Sequence, residues 1–282
     1  MKNTYQLIAG FIILLFVGCK SDYKLEVMTW NLRYDTENDG ENQWGKRKEK
    51  VIQLLEEYSP DMLGTQEGLV HQVEYLAEQL PQYAWCGLGR DDGEKEGEFS
   101  AVFYKKDLFE MEDCQTFWLS ETPEKPGFGW GAKHNRVATW VKLRHKPSGQ
   151  SVFFFNTHFD HQTPLAREQG AYLVLKTMKE KTLSSPAILL GDFNADPDSE
   201  PYKILTADVQ VLQDTYQLTG NKKGPSGSFA SQFALENLSD RIIDHIFIND
   251  GFDVIEHQII DDNNGSFYPS DHLPVRAALR LK

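Results

Sequence analysis

The sequence is short of basic charge, with 29 lysines and arginines against 42 aspartates and glutamates, a formal net charge of -13 over 282 residues. Sequence-independent binding of nucleic acid relies on clustered Lys and Arg that release counterions from phosphates. The deficit speaks against a high-affinity binder of long duplex DNA. It fits better with a charged site completed by a divalent cation. Internal repeats, low-complexity stretches and proline- or glycine-rich linkers are also lacking, which excludes a repeat array and leaves no seam at which to divide the chain. What remains is ordinary globular composition, 40% apolar and 25% charged, large enough for a substantial core.

Long apolar runs are scarce too. The longest, from Leu7 to Val17, is too short for a comfortable membrane span and has the length of a signal-peptide core behind the positive start Met1-Lys2-Asn3. Gly18-Cys19 resembles a bacterial lipoprotein cleavage site, although Phe16 stands where Leu is usual. The expectation is a signal peptide over residues 1–18, Cys19 as the lipidated first residue and a single domain over 19–282. Lys20 after Cys19 leans toward the outer membrane, so the lipid anchor on Cys19 places the protein in the cell envelope. Ordinary secretory cleavage nearby is the alternative. Cys86 and Cys114 lie in β-like apolar runs and read as buried free thiols, although export permits a disulfide.

Apolar periodicity predicts strands over 25–32, 61–66, 83–88, 100–104 and 109–119, and again over 136–143, 151–157, 187–190, 241–248, 252–260 and 273–281. Helical spacing predicts helices over 46–58, 70–80 and 165–181, with polar loops over 35–44 and 121–135. Strands outnumber helices, and hairpins are mixed with strand–helix units. That pattern suggests two packed sheets with helices outside.

Four polar clusters end or interrupt apolar runs: Asn156-Thr157-His158, Gly191-Asp192-Phe193-Asn194, Asp244-His245 and Ser270-Asp271-His272. Loops at strand ends are where catalytic groups usually sit. Asp192 and Asn194, two residues apart, point the same way on a strand. One can accept a proton while the other donates to an anionic oxygen, and a plain turn explains them equally well. Glu67 at a strand end suits a hard cation such as Mg²⁺, or merely the N-terminus of the following helix. Asn31 either orients such a ligand or closes a local turn. His158 and His272 are the acid–base candidates, with Asp244 and Asp271 as available partners. His71, His134, His145, His161, His245 and His257 read as structural.

The ordered set Trp30-Asn31, Gln66-Glu67, Asn156-Thr157-His158, Gly191-Asp192-Phe193-Asn194, Ile243-Asp244-His245-Ile246 and Ser270-Asp271-His272-Leu273-Pro274 resembles the endonuclease/exonuclease/phosphatase superfamily, in family order from Leu25 to Leu281. The resemblance implies an α/β (α+β) fold, a four-layer sandwich of two mixed β-sheets packed face to face and flanked by helices. It implies a Mg²⁺ or Mn²⁺ cofactor and hydrolysis of a phosphate ester by in-line attack of water. By position, Glu67 resembles the main metal ligand, with Asn31 beside it and Asp271 as a further metal-side or water-side carboxylate. Asp192 resembles the group that activates water, Asn194 a donor to a phosphate oxygen, and His272 with Asp244 the imidazole that stabilises the transition state. His158 takes the place of a phosphate-binding or leaving-group residue.

Abasic-site endonucleases place Tyr where this chain has His158, and some place Asp where it has Arg33, so that branch fits poorly. The segments Asn31-Leu32-Arg33-Tyr34-Asp35, Trp44-Gly45-Lys46-Arg47 and Phe117-Trp118-Leu119-Ser120 most resemble a bacterial secreted branch. Arg33, Trp44, Arg47, Trp130 and Arg136 are expected to rim the cleft, Arg for a phosphate and Trp for a sugar, base or lipid face. The first expectation is a phosphodiesterase of nucleic acid or nucleotide. The alternatives are a phosphomonoesterase or phospholipase-C-like enzyme on sugar, inositol or lipid phosphates, and a lipoprotein that binds without catalysis. No obligate protein partner is implied.

Overall fold

A computed structural model describes residues 23–262 and 268–282. The expected signal segment and Cys19 lie outside the described residues. Among the described residues, no helix is long and apolar enough to cross a membrane.

The elements run β1 (Lys24–Asn31), α1 (Trp44–Tyr58), β2 (Met62–Gly68), α2 (Val70–Gln79), β3 (Tyr83–Cys86), β4 (Phe99–Lys105), β5 (Phe109–Trp118), β6 (Val137–His145) and β7 (Ser151–His158). Then follow α3 (Pro164–Thr182), β8 (Ala187–Asp192), α4 (Glu200–Thr206), β9 (Gln213–Asp214), α5 (Thr215–Leu218), β10 (Lys222–Lys223), β11 (Asp244–Ile248), β12 (Phe252–Ile259) and β13 (Val275–Leu281). The predicted polar loop at 35–44 instead holds a 3-10 helix, Glu37–Asn42, whose first turn is capped by the Thr36 hydroxyl accepting from Asn38 N.

Two sheets form, in the orders β10-β12-β13-β1-β2-β4-β3 and β5-β6-β7-β8-β11-β9. Both are mixed, since the parallel pairs β1/β2 and β7/β8 sit among antiparallel neighbours. Period-two alternation fills three apolar layers. Val27, Met62 and Val102 face Phe154, Ile188 and Leu190 between the sheets. Met28, Trp30 and Leu63 pack outward on Val51, Leu55 and Val73 of α1 and α2. Phe153, Phe155 and Leu189 pack outward on Val174, Met178 and Tyr202 of α3 and α4. The expected four-layer sandwich is therefore present.

The inner layer is graded along the strands. β1 passes from Leu25 and Val27 to Thr29 and Asn31, β7 from Val152 and Phe154 to Asn156 and His158, and β8 from Ile188 and Leu190 to Asp192. The sheets approach most closely near the change from apolar to polar. A Cβ on Gly64 would stand 2.2 Å from Leu190 Cδ1 and 2.8 Å from Asn156 Cγ. Asn156 cannot retreat, because its Nδ2 donates to Thr65 O and Ala101 O at 2.8 Å and its Oδ1 accepts from Gln66 Nε2 at 2.6 Å. It stitches the two sheets.

Cys86 of β3 and Cys114 of β5 form a disulfide, with Cα atoms 6.7 Å apart. The expectation of free thiols is corrected. Sequence spacing hides the pairing because β3 and β5 are edge strands of different sheets that meet only after the sandwich closes.

Candidate active site

Strand register assembles the site. β7 pairs His158 with Asp192, and β8 pairs Asp192 with Asp244, so three strands set these residues in one row. Gly191 permits the close approach, since a Cβ there would meet Thr157 O at 2.0 Å. Glu67 arrives differently. Met62 faces the inner core, so regular alternation would put residue 67 on the outer face. A register shift between Thr65 and Gly68, with a left-handed φ of 62° at Glu67, turns its carboxylate into the cavity instead.

Asn31 joins the two halves. Its Nδ2 donates to Glu67 Oε1 and to Asp192 Oδ2, each at 3.0 Å. Glu67 Oε2 accepts from Tyr34 N at 3.2 Å. The segment before β13 is fastened by Trp30 Nε1 donating to His272 O and Ser270 Oγ donating to Asn31 O. His272 Nδ1 then lies 2.9 Å from Asp244 Oδ2, and its Nε2 is 3.7 Å from Asp192 Oδ2. Ser228 Oγ donates to the same Asp244 oxygen at 2.7 Å. Asn194, at a left-handed φ of 48°, donates its backbone N–H to Asp192 Oδ1 and its Nδ2 to Phe159 O.

The electrostatics follow from burial. Burial and the neighbouring Asp244 charge push the Asp192 carboxyl up to about 7. Burial opposes the cationic form of His272, but Asp244 and Asp192 outweigh it and raise its pKa well above the ordinary value. Burial, with Arg136 and Arg90 nearby, holds His158 well below its ordinary value, so it is a neutral imidazole. Burial raises Glu67, yet His272 and the Asn31 hydrogen bond prevail and its pKa falls. One buried base near neutrality beside one persistent cation is an arrangement suited to proton transfer and charge stabilisation.

These groups open on a cavity of about 390 Å³. Glu67, His158, Asp192, Asn194, Asp271 and His272 line it, and of the substrate candidates Arg33 and Arg136 do so. Asn31 and Asp244 are buried behind it. Trp44, Arg47 and Trp130 do not line it. Trp44 packs edge-on against Tyr75 under α1. Arg47 is fully buried and donates to the carbonyls of Leu32, Arg33, Asn42 and Pro269, clamping the two segments that carry Asn31 and His272. Trp130 packs at the edge of the α3 layer. Amphipathic loop residues look alike in sequence whether they cover a helix or a cleft.

Other wall residues carry no sequence signal: Arg90, Glu98, Phe229, His134 and His161. The two histidines read as structural actually stand at the mouth, rings 5.9 Å apart and nearly parallel. Only their position in the flanking loops, not their spacing, brings them there.

The donor set suits a hard divalent cation. Ligand atoms of Glu67, His158 and Asp192 lie within 4.8 Å of one another. Asp271 Oδ1 is buried without a hydrogen-bond partner among the described residues, and burial plus the Glu67 charge push that carboxyl up to about 6. Crowded carboxylates with an orphaned oxygen are what a cation of oxygen preference neutralises. The second acidic group, Asp192, Asp244 and His272, fits less well, because the imidazole nitrogen facing Asp244 is already engaged.

A family model described as the Endonuclease/Exonuclease/phosphatase family matches residues 28–272. A crystal structure of an endonuclease/exonuclease/phosphatase from Bacteroides vulgatus is 35% identical, with a TM-score of 0.87 over 92% of this chain and 100% of that one. A mannosyl-6-phosphatase from Bacteroides thetaiotaomicron is 35% identical, with a TM-score of 0.85 over 90% of this chain and 99% of that one. The nocturnin of Xenopus laevis is 26% identical over 287 residues, covering 88% of this chain and 70% of nocturnin.

Proposed function

The chain belongs to the endonuclease/exonuclease/phosphatase family, and from that premise we propose that it hydrolyses a small phosphoric monoester, a sugar phosphate being the substrate class favoured. The family comprises hydrolases of phosphoric esters that use divalent metals. The observation that carries the reading is the convergence of Glu67, His158, Asp192, Asn194 and His272 on one cavity. A volume near 390 Å³ matches one small ligand better than a polymer track. The net charge of -13 points the same way, as does the 35% identity to a mannosyl-6-phosphatase along nearly its whole length.

Mg²⁺ or Mn²⁺ held by Glu67 and Asp271, with Asn31 orienting Glu67, supplies charge neutralisation at a phosphate oxygen when bound. Asp192 accepts a proton from the attacking water. Asn194 Nδ2 donates to a non-bridging oxygen. His272, kept cationic by Asp244, stabilises the charge that develops on the phosphoryl group. His158, neutral and beside Arg136, binds the phosphate as a hydrogen-bond donor. The site roles expected from the sequence are thus kept for these residues.

Phosphodiester hydrolysis is the second reading, motivated by the nocturnin relationship. Turnover of mono- against bis-p-nitrophenyl phosphate with Mg²⁺ or Mn²⁺ separates the two. Metal-dependent turnover stopped by EDTA and reduced by several powers of ten in Asp192→Ala is expected. Turnover undiminished in that variant sinks the assignment. We also propose export with lipidation at Cys19, on the sequence of residues 1–20 alone. Mass spectrometry of the mature N-terminus is the check, and an unmodified Cys19 defeats it.

A further inference from the structure

Beside the metal-side carboxylates, the cavity has a second wall with a different chemistry. Glu98, on the loop entering β4, sits among two guanidiniums and one imidazole. Its Oε2 contacts Arg90 Nη1, and lies 3.8 Å from both Arg136 Nη1 and His158 Nδ1. Glu98 itself lines the cavity. Arg90 and Arg136 are nearly buried, and the Nε of each lacks a hydrogen-bond partner among the described residues. Arg136 Nη2 reaches His161 Nδ1 at 2.9 Å, and His161 stacks on His134.

Neither the proton transfer nor the cation requires this wall. A carboxylate in a cavity meant for phosphate also costs affinity, because it repels the anion. Glu98 neutralises the two guanidiniums, and as a lining group it is open to a second task. Alternating acceptor and donor groups, one carboxylate between two guanidiniums with neutral imidazoles beyond, match adjacent hydroxyls, each of which both donates and accepts. They match a second phosphate or carboxylate badly.

We propose that Glu98, Arg90 and Arg136 form a specificity subsite that reads vicinal hydroxyls on the alcohol part of the substrate. The subsite rests on the phosphomonoester reading and narrows it to polyhydroxylated phosphates. Glu98 is a specificity residue, accepting from a hydroxyl through its carboxylate. Arg90 donates to the neighbouring hydroxyl. His134 and His161, both held below their ordinary pKa by burial and the arginines, stay neutral and compatible with an uncharged sugar edge.

The test compares kcat/KM for a hexose 6-phosphate with that for p-nitrophenyl phosphate, which has no hydroxyls, in the full chain with Mg²⁺. Wild type is expected to prefer the sugar. Glu98→Ala and Arg90→Ala are each expected to lower the ratio of the two at least about tenfold, mainly through KM, the size of a lost charge-assisted hydrogen bond. Glu98→Gln keeps the shape and one acceptor, and is expected to retain more of the ratio than Glu98→Ala. Equal losses on both esters, or an unchanged ratio, overturn the subsite while leaving the hydrolase reading intact. Hydrolysis of neither ester by wild type overturns both.

Discussion

Asp244 and His272 stand 28 residues apart in sequence, yet Oδ2 of one lies 2.9 Å from Nδ1 of the other across the seam between the sheets. Asp192 sits on the far side of the same imidazole, 3.7 Å from Nε2. In the proposed mechanism, activity requires Asp192 as the anion and His272 as the cation. The rate should therefore rise with pH through about 7, where Asp192 loses its proton, and fall again above the raised pKa of His272. A bound cation moves the acid limb lower. Asp244→Asn removes the charge that holds the imidazolium, so kcat should drop by about a hundredfold or more and the alkaline limb should move to lower pH. A kcat/KM profile from pH 5 to 10 checks both; an unmoved alkaline limb contradicts the pairing.

Glu67→Gln keeps the hydrogen-bonding shape beside Asn31 but removes one negative charge. Affinity for Mn²⁺ should fall by roughly a hundredfold. In wild type, Mn²⁺ at a hundred times its Kd should stabilise the fold by about 2.7 kcal/mol through linkage. Titration calorimetry and melting curves report the two effects, and equal Mn²⁺ stabilisation of both proteins would falsify the ligand assignment.

The Cys86–Cys114 bond closes a loop of 28 residues between the two sheet edges. Such a crosslink contributes roughly 3 to 4 kcal/mol by restricting the unfolded chain. Cys114→Ser should lower the melting temperature by about 10 °C at this chain size. Reduced wild type should melt at the same temperature as the variant, which a scan with and without reductant decides.

A second buried ion pair lies away from the cavity. His245 Nδ1 is 3.2 Å from Asp214 Oδ2, and its Nε2 donates to Ala195 O at 2.9 Å. Burial opposes both charges, but each partner prevails, raising His245 and lowering Asp214. The raised histidine gives stability that is full below about 6.5 and lost as pH rises through its folded pKa. The lowered aspartate gives stability present above about 3.9 and lost as pH falls through its own. Urea midpoints should therefore peak between about pH 4 and 6.5 on this pair's account. Asp214→Asn should flatten that component and cost about 3 to 5 kcal/mol; a midpoint unchanged at pH 6 rules the pair out as a stabilising contact.

Much of the architecture was legible because apolar alternation and helical spacing leave strong periodic marks. The predicted helix over 46–58 and the hairpin of β6 and β7 match the structure closely. The row His158, Asp192 and Asp244 was legible as separate strand ends, although only the register shows them side by side. Glu67 was found by its place after a strand, while the bulge that aims it was not, since a positive φ at a glutamate has no signature in the sequence. Arg47 was misread because a buried guanidinium satisfied by four carbonyls looks, in one dimension, like any surface arginine. Arg90 and Glu98 were missed for the opposite reason. They come from irregular loops, where nothing periodic marks which face is inward.

The graded seam has a consequence for folding. Sliding one sheet by two residues against the other keeps every side chain on its own face, so alternation alone does not forbid it. The slide would carry Asn31 toward Phe154 and Leu190, or Asp192 toward Val27 and Met62, at a cost of several kcal/mol for each unsatisfied polar group. The residues of the candidate site thus also act as a ruler, and a chain stripped of them should keep its strands while losing certainty about how the two halves align.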